Sequence, residues 1–217
     1  YYEVVNKYDE VVTELCEDEA VNYGEYEYYI NNCYTNVFGQ KLSFGLNSIN
    51  IPEFSDIRSG EVKLLQSSTD HRLFTQEEID AGELVIITSK DLGQIGESED
   101  VFQNTGFSKP GNKMEIIIPI QTVEYVDGFK EYKTVAEYKF EATIIGSCYG
   151  EYLYGNVFIP STTFKNILKE VNEIALKNNA NKVDYEVSYS AFKLKDSKYL
   201  EQFVNLLSNI NSEPSEA

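Results

Sequence analysis

The sequence predicts an α+β protein, with helices toward both ends of the chain and strands in the middle. Apolar residues recur at helical spacing near each terminus and alternate with polar residues at a period of two between them. At 217 residues, the chain is long enough to bury about 70% of the surface of its unfolded form without disulfides or metals. We therefore expect one globular module, and the chain contains no internal repeat.

The first element is an amphipathic helix predicted for residues 2–17. Acidic residues occupy one face, and the other face carries apolar residues at the i, i+3, i+4, i+7 spacing. The apolar set is Val4, Val5, Tyr8, Val11, Val12, Leu15 and Cys16. Strands are predicted next, around the Tyr/Glu alternation of residues 25–28 and over residues 38–51 and 61–66, which glycine and proline bound.

The middle of the chain combines a buried strand, a loop and a long hairpin. Residues 84–88 are a short apolar run, and Ser89 is placed to cap a short helix after it. Residues 96–112 are rich in glycine, acid and asparagine, which predicts a loop.

The hairpin prediction covers strands near 113–126 and 130–146. Asp127-Gly128 lies between them and favours the two-residue turn that matches strand twist. One face of the first strand is predicted to hold Met114, Ile116, Ile118 and Ile120. One face of the second is predicted to hold Tyr132, Thr134, Ala136, Tyr138, Phe140, Ala142 and Ile144.

The residue pattern of the C-terminal part predicts a helix, then a strand, then a second helix. The first helix begins at Ser161 or Thr162, ends at residues 178–179 and presents the stripe Phe164, Ile167, Leu168, Val171, Ile174 and Ala175. A strand follows over residues 183–189. Asp196 then caps a helix of residues 196–210, with Leu200, Phe203, Val204, Leu207 and Ile210 on its inner face.

Charge limits the classes of partner. The formal net charge is -18 and the pI is about 4.4, and the chain has no lysine or arginine cluster. Such a surface repels phosphate backbones and anionic lipid headgroups, so we expect no nucleic acid partner.

The residues needed for catalysis do not form a recognisable set. His71 is the single histidine and stands beside Arg72, so neither a nucleophilic triad nor a multi-histidine zinc site is expected. The acidic runs 17–19 and 97–100 lack the ligand spacing of a calcium loop, and no glycine-rich segment has the Gly-Lys-Ser/Thr of a phosphate loop. We expect no catalytic residues, no metal and no cofactor, and a hydrolase with a carboxylate pair stays an open alternative.

Cysteines and tyrosines leave two further questions open. A disulfide between Cys16 and Cys33 is conceivable, and the alternative is that these two and Cys148 are small buried hydrophobes. The chain has 17 tyrosines and no tryptophan. Tyr149, Tyr152 and Tyr154 lie in a loop bounded by glycines, which is a candidate partner-binding surface unless they fill half-buried strand positions.

Five pieces follow one another between residues 73 and 160. They are LFTQEE, GELVIITSKDLG, PGNKMEIII, YKFEATIIGSCY and NVFIP. In this order and spacing, the chain resembles the extracytoplasmic domain that lies between the first two membrane helices of MacB-like and FtsX-like ABC transporter permeases.

The resemblance implies a two-lobed architecture. Residues 1–75 and 157–217 would form a membrane-proximal α/β lobe, and residues 76–156 a smaller inserted strand-rich lobe. The helix of residues 2–17 would continue the first membrane helix outward.

The same resemblance implies a non-catalytic extracellular domain on the cell membrane. It would couple ATP-driven movement of the membrane helices to an extracytoplasmic substrate or partner protein, in efflux or mechanotransmission. An ATP-binding subunit would be a partner through the membrane helices, without touching this domain.

A competing interpretation is a secreted or cell-surface binding or adhesion module. The chain begins at Tyr1 and has neither an apolar run of membrane length nor a signal peptide. We expect a fragment of a longer protein, and the alternative is a mature secreted protein whose signal has been removed.

Overall fold

The chain builds a mixed β-sheet with accompanying helices. Described residues of the computed structural model are 15, 18–37, 39–49, 63–64, 74–89, 110–149, 156–183 and 185–211. In these ranges, eight strands form one sheet and three α-helices accompany it. Parallel and antiparallel pairs with separate helices make an α+β arrangement, so this prediction is confirmed.

Strands β1 (Val21–Val37) and β2 (Gln40–Ile49) pair in an antiparallel manner. Gly39 between them has a φ of 80°, a conformation that glycine adopts without steric cost. The predicted strands around residues 25–28 and 38–51 are therefore present.

The long hairpin consists of β5 (Lys113–Val126) and β6 (Phe129–Tyr149). Asp127 and Gly128 both have positive φ, 52° and 86°. Two positive φ angles are what the predicted two-residue turn requires. Both the strands and the turn of this prediction are confirmed.

Four shorter strands complete the sheet: β3 (Lys63–Leu64), β4 (Val85–Ser89), β7 (Asn156–Pro160) and β8 (Glu186–Leu194). Their order is β2-β7-β4-β6-β5-β1-β8, with β3 on β6 and an additional pairing of β2 with β1. The strands β1, β2, β7, β4, β6 and β5 thus form a closed ring of hydrogen-bonded neighbours. A closed ring leaves few unpaired edges.

The core lies between this sheet and helix α2 (Ser161–Lys177). The helix buries Phe164, Ile167, Val171 and Ala175, as its stripe predicts, and contacts β2, β5, β6 and β7. Tyr138, on the sheet face of the buried Ile118, donates a 2.6 Å hydrogen bond to Glu170 of the helix.

One face assignment in the hairpin is wrong. Ile120 pairs with Ala136 but Gln121 pairs with Thr134, so Val135 is an extra residue, a β-bulge. The bulge reverses the alternation along β6. Tyr132 and Thr134 therefore lie on the face opposite to Ala136, Tyr138, Phe140, Ala142 and Ile144.

Helix α2 begins at Ser161, one of the two predicted positions. Ser161 is already helical and Pro160 is the capping residue, without a side-chain hydrogen bond. Thr163 turns its hydroxyl to the carbonyl oxygen of Glu83 instead, at 2.8 Å. The end is as predicted, because the Asn178 amide donates to the Ile174 carbonyl.

Helix α1 (Gln76–Ala81) begins with a capping box. The Thr75 hydroxyl accepts from the Glu78 backbone at 3.2 Å, and the Glu78 carboxylate accepts from the Thr75 backbone at 2.9 Å. Two of the free amide groups at the start of the helix are thereby satisfied.

The contacts of the chain define two compact units, Tyr1–Tyr26 with Val187–Ala217, and Glu27–Glu186. In the first unit, Leu15, Val21 and Phe203 form a core against Phe192, Leu194 and Leu207. The two-lobed arrangement implied by the resemblance is not confirmed, and its boundaries at residues 75, 76, 156 and 157 stay a prediction.

The C-terminal elements shift relative to the prediction. Strand β8 begins at Glu186 rather than residue 183, because the Val183 amide donates to the Asn172 side chain at 2.9 Å. The Asp196 carboxylate accepts from the Lys198 backbone and caps a 3-10 turn, after which helix α3 (Leu200–Asn211) begins.

The inner face of α3 is narrower than predicted. Phe203 is buried and Leu207 packs against its core, whereas Leu200 and Val204 are exposed.

Some predictions lie outside the described residues. They are the helix of residues 2–17 apart from Leu15, which is helical and buried, the short helix after Ser89, and residues 96–109 of the predicted loop.

Candidate functional site

The end of the β5–β6 hairpin exposes aromatic side chains to water. Residues 121–135, which we call the hairpin tip, contain no buried residue. Tyr125 is 70% exposed, Phe129 76% and Tyr132 62%. Exposed apolar side chains that are grouped at one surface are a feature of interaction sites.

The strand register divides these side chains between the two faces of the tip. Val123 lies opposite Tyr132, next to Tyr125, and these three share one face. Val126 lies opposite Phe129 beside the turn, on the other face. Both faces therefore carry an apolar group within reach of a partner.

The tip is held from its base. Isolated two-stranded hairpins are marginally stable in water, but here β5 and β6 continue into the sheet, where Ile116, Ile117 and Ile118 are buried. The Asn181 backbone also donates to the Gln121 carbonyl at 3.3 Å. The exposed aromatics are thus presented by strands that the core fixes.

Below the tip, a cluster of polar side chains links β1 to β6. The Tyr34 hydroxyl donates to the Glu137 carboxylate, which also forms a 2.9 Å ion pair with Lys139. The Lys41 ammonium lies 3.9 Å from the centre of the Tyr34 ring, a distance that favours cation–π attraction.

This cluster is a structural clamp and holds its tyrosine protonated. The hydrogen bond to Glu137, together with desolvation, raises the pKa of Tyr34 to about 12. The same hydrogen bond lowers the pKa of Glu137. A tyrosine with a raised pKa and a carboxylate with a lowered one are both poorly suited to proton transfer near neutral pH.

Of the three tyrosines proposed from the sequence, Tyr149 is the one within the described residues. Tyr149 ends β6, where its backbone pairs with Lys63, while Tyr152 and Tyr154 lie outside the described residues. Their role in partner binding stays a prediction. The hairpin tip carries a signal that the sequence analysis did not use, since apolar residues flank the Asp-Gly turn on both strands.

Cysteine chemistry is limited at Cys33. This residue is buried and free, so the disulfide considered with Cys16 is absent. Burial raises the pKa of its thiol to about 12, and a thiol that stays protonated is a weak nucleophile. Cys33 is a small buried hydrophobe, as one of the two alternatives states.

Other chemistry is sparse in the described ranges. They contain no group of three or more histidine, cysteine or acidic side chains that could hold a metal, and His71 lies outside them. A shallow groove of about 530 Å³ runs along α3. It is lined by Asp18, Lys198, Glu201, Gln202, Phe203, Asn205 and Leu206, a mixture of charges without convergent polar groups.

The described helices are short compared with the thickness of a bilayer, or too polar to lie in one. None of them is both long enough and apolar enough to span a membrane.

Comparison with known proteins supports the fold. No protein-family model matches the chain, and none of the curated proteins matches it. Among solved structures, the periplasmic region of MacB from Actinobacillus actinomycetemcomitans is similar, with a TM-score of 0.51 and 13% identity over 94% of this chain and 74% of that one.

A second similar structure is the extracellular domain of the noncanonic ABC-type transporter YknZ from Gram-positive bacteria. Its TM-score is 0.47 and its identity 16%, over 94% of this chain and 84% of that one. The chain shares the fold of the MacB periplasmic region, so the resemblance derived from its sequence is confirmed at the level of fold.

Proposed function

We propose that this chain is a non-catalytic extracytoplasmic domain of a MacB/FtsX-like ABC transporter permease. It faces the outside of the cell membrane and couples ATP-driven movement of the membrane helices to an extracytoplasmic substrate or partner protein. An ATP-binding subunit or domain drives it through the membrane helices. The fold shared with the periplasmic region of MacB over 94% of the chain carries this proposal.

The positions of the five sequence pieces support it independently. LFTQEE contains the capping box of α1, and the other four supply β4, β5, β6 and β7. The four strands are neighbours in the order β7-β4-β6-β5. Pieces that are far apart in the sequence thus build one continuous part of the sheet.

The mechanism follows from the closed ring of strands. Close-packed cores move as rigid bodies, because their side chains have few alternative arrangements. A unit built in this way, Glu27–Glu186, passes a displacement at its base to distant loops without making or breaking a bond. Transmission of movement is therefore the task that this construction suits.

Tyr149, Tyr152 and Tyr154 belong to this proposal as partner contacts. Alanine at these three positions should weaken partner engagement and change the free energy of unfolding by less than about 1 kcal/mol, the range expected if they serve a partner and not the core. Unfolding of the triple variant would assign these tyrosines to the core instead.

One experiment tests the transporter role. The protein that carries this chain is purified from membranes, and ATP hydrolysis is compared with that of a variant in which a Gly/Ser linker replaces residues 1–217. We expect basal hydrolysis to persist, because the nucleotide site lies elsewhere, and the variant to reproduce the phenotype of deleting the whole protein. Absence of an ATPase from the preparation would contradict the proposal and favour a surface binding or adhesion module.

A further inference from the structure

We infer that the hairpin tip is a docking element whose apolar end inserts into a pocket of a partner protein rimmed by basic side chains. This inference depends on the proposed function in one respect only, which is that the partner is expected on the extracytoplasmic side of the membrane.

Beyond Gln121, whose carbonyl accepts from the Asn181 backbone, no other strand pairs with the tip within the described chain. Strand β5 pairs with β1 at Ile117, and β6 pairs with β4 only from Thr143 onward. Between these points and the turn, the two strands pair only with each other. About 17 Å of hairpin separates Gln121 at the base from Val126 at the turn, from the usual rise per residue.

The exposed aromatics do not stabilise the domain from which they project. Phe129 and Val126 lie opposite each other beside the turn and are 76% and 43% exposed. A phenylalanine that is three-quarters exposed gains little from the folded state. In interfaces, by contrast, aromatic side chains that enter a pocket supply much of the binding energy.

Charge defines the partner. Glu124 and Glu131 lie directly opposite each other on the face of Val126 and Phe129, and neither forms an ion pair with a described residue. Like charges at opposed positions destabilise a sheet. A lysine or arginine of a partner, placed beside the apolar pocket, would pair with both carboxylates and remove this repulsion.

The same charges disfavour the other occupants. A second copy would bring another surface of net charge -18 against the tip, where Glu124, Asp127 and Glu131 outnumber Lys130 and Lys133. An anionic bilayer repels the three carboxylates equally. The remaining occupant is a protein with an apolar pocket and a basic rim.

Site-specific photocrosslinking tests this inference in the whole protein, as its native cell produces it. p-Benzoylphenylalanine replaces Phe129, and in a control it replaces Leu176 of α2, which has the same 76% exposure. We expect one protein adduct from position 129 and none from position 176. A lipid adduct, an adduct with a second copy, or no adduct would overturn the docking proposal.

Binding measured with purified components completes the test. The adducted protein, once identified, is titrated against the whole unmodified protein and against its F129S and E124K/E131K variants. Each variant should weaken binding at least about tenfold, as loss of an interface anchor does, and binding should weaken as salt is raised. Unchanged affinity in both variants would contradict the inference.

Two controls separate the possible failures. Phosphatidylglycerol/phosphatidylcholine vesicles should not bind the protein. If they bind it and the F129S substitution abolishes this binding, the tip inserts into the membrane, which contradicts the proposal. The melting temperature of F129S should stay unchanged, since the side chain is exposed. A protein adduct together with an unaffected transport phenotype in the linker variant would uphold docking and contradict only the transporter role.

Discussion

The hydroxyl of Tyr34 on β1 donates a hydrogen bond to the carboxylate of Glu137 on β6, across the intervening strand β5. Tyr34 lies opposite Ile117, which in turn lies opposite Lys139. The bond therefore joins two strands that are not neighbours, just below the point where the hairpin leaves the sheet. It ties the base of the hairpin tip to the ring of strands.

Replacing Tyr34 with phenylalanine should lower the free energy of unfolding by about 1 kcal/mol, the usual net worth of such a hydrogen bond. The raised pKa of Tyr34 gives a second signature. Its stabilising contribution is fully present below pH 10 and is lost as pH rises toward 12. Denaturant titrations across this range should show a shallower loss of stability in Y34F. Y125F, at an exposed tyrosine, is the control and should behave like the original chain.

Removing the capping box of α1 should also cost stability. In T75A the Glu78 amide loses its acceptor, which typically costs about 1 kcal/mol. E77A, at an exposed neighbouring position, should change the free energy of unfolding by less than about 0.5 kcal/mol. Equal effects of the two substitutions in urea unfolding would argue against the capping role.

The hairpin turn depends on Gly128. At a φ of 86° an L-residue is strained, so G128A should destabilise the domain by about 1 kcal/mol, although nothing lies within 4 Å of the added methyl group. D127N should be tolerated, since asparagine accepts positive φ. Thermal melting of the two variants measures the difference. A melting temperature of G128A equal to that of the original chain would mean that another type of turn forms.

Neighbouring positions on α3 test its orientation. Phe203 is 6% exposed and Val204 48%. F203A should cost about 3 kcal/mol through loss of core contacts, and V204S should stay within about 0.5 kcal/mol. If F203A and V204S lose similar amounts of free energy of unfolding in urea, the result would support the broader inner face that the sequence predicts.

Local patterns predict the elements that local chemistry controls. The hairpin follows from period-two alternation and Asp127-Gly128, and α2 follows from its apolar stripe. The bulge at Val135 is invisible to such reasoning, because an extra residue leaves the alternation intact in sequence and reverses it only in space. The exposure of Val204 likewise depends on which elements pack against α3.

The candidate site was less predictable than the fold. Phe129 and Tyr125 have the composition of ordinary strand residues, and their exposure follows from the strand order, which puts no third strand beside the tip. The tyrosines at 152 and 154 stand out in sequence because glycines surround them, but they lie outside the described residues. Composition alone therefore does not tell whether the hairpin tip or the segment with Tyr152 and Tyr154 binds a partner.

The location of the domain is the central claim, and cysteine labelling in intact cells tests it most directly. In the whole protein, every cysteine except the buried Cys33 is replaced by serine, Cys16 and Cys148 among them, and the exposed Lys130 becomes cysteine. A membrane-impermeant maleimide should label K130C equally before and after lysis, and should not label the parent without this cysteine. Labelling of K130C only after lysis would contradict an extracytoplasmic transporter domain.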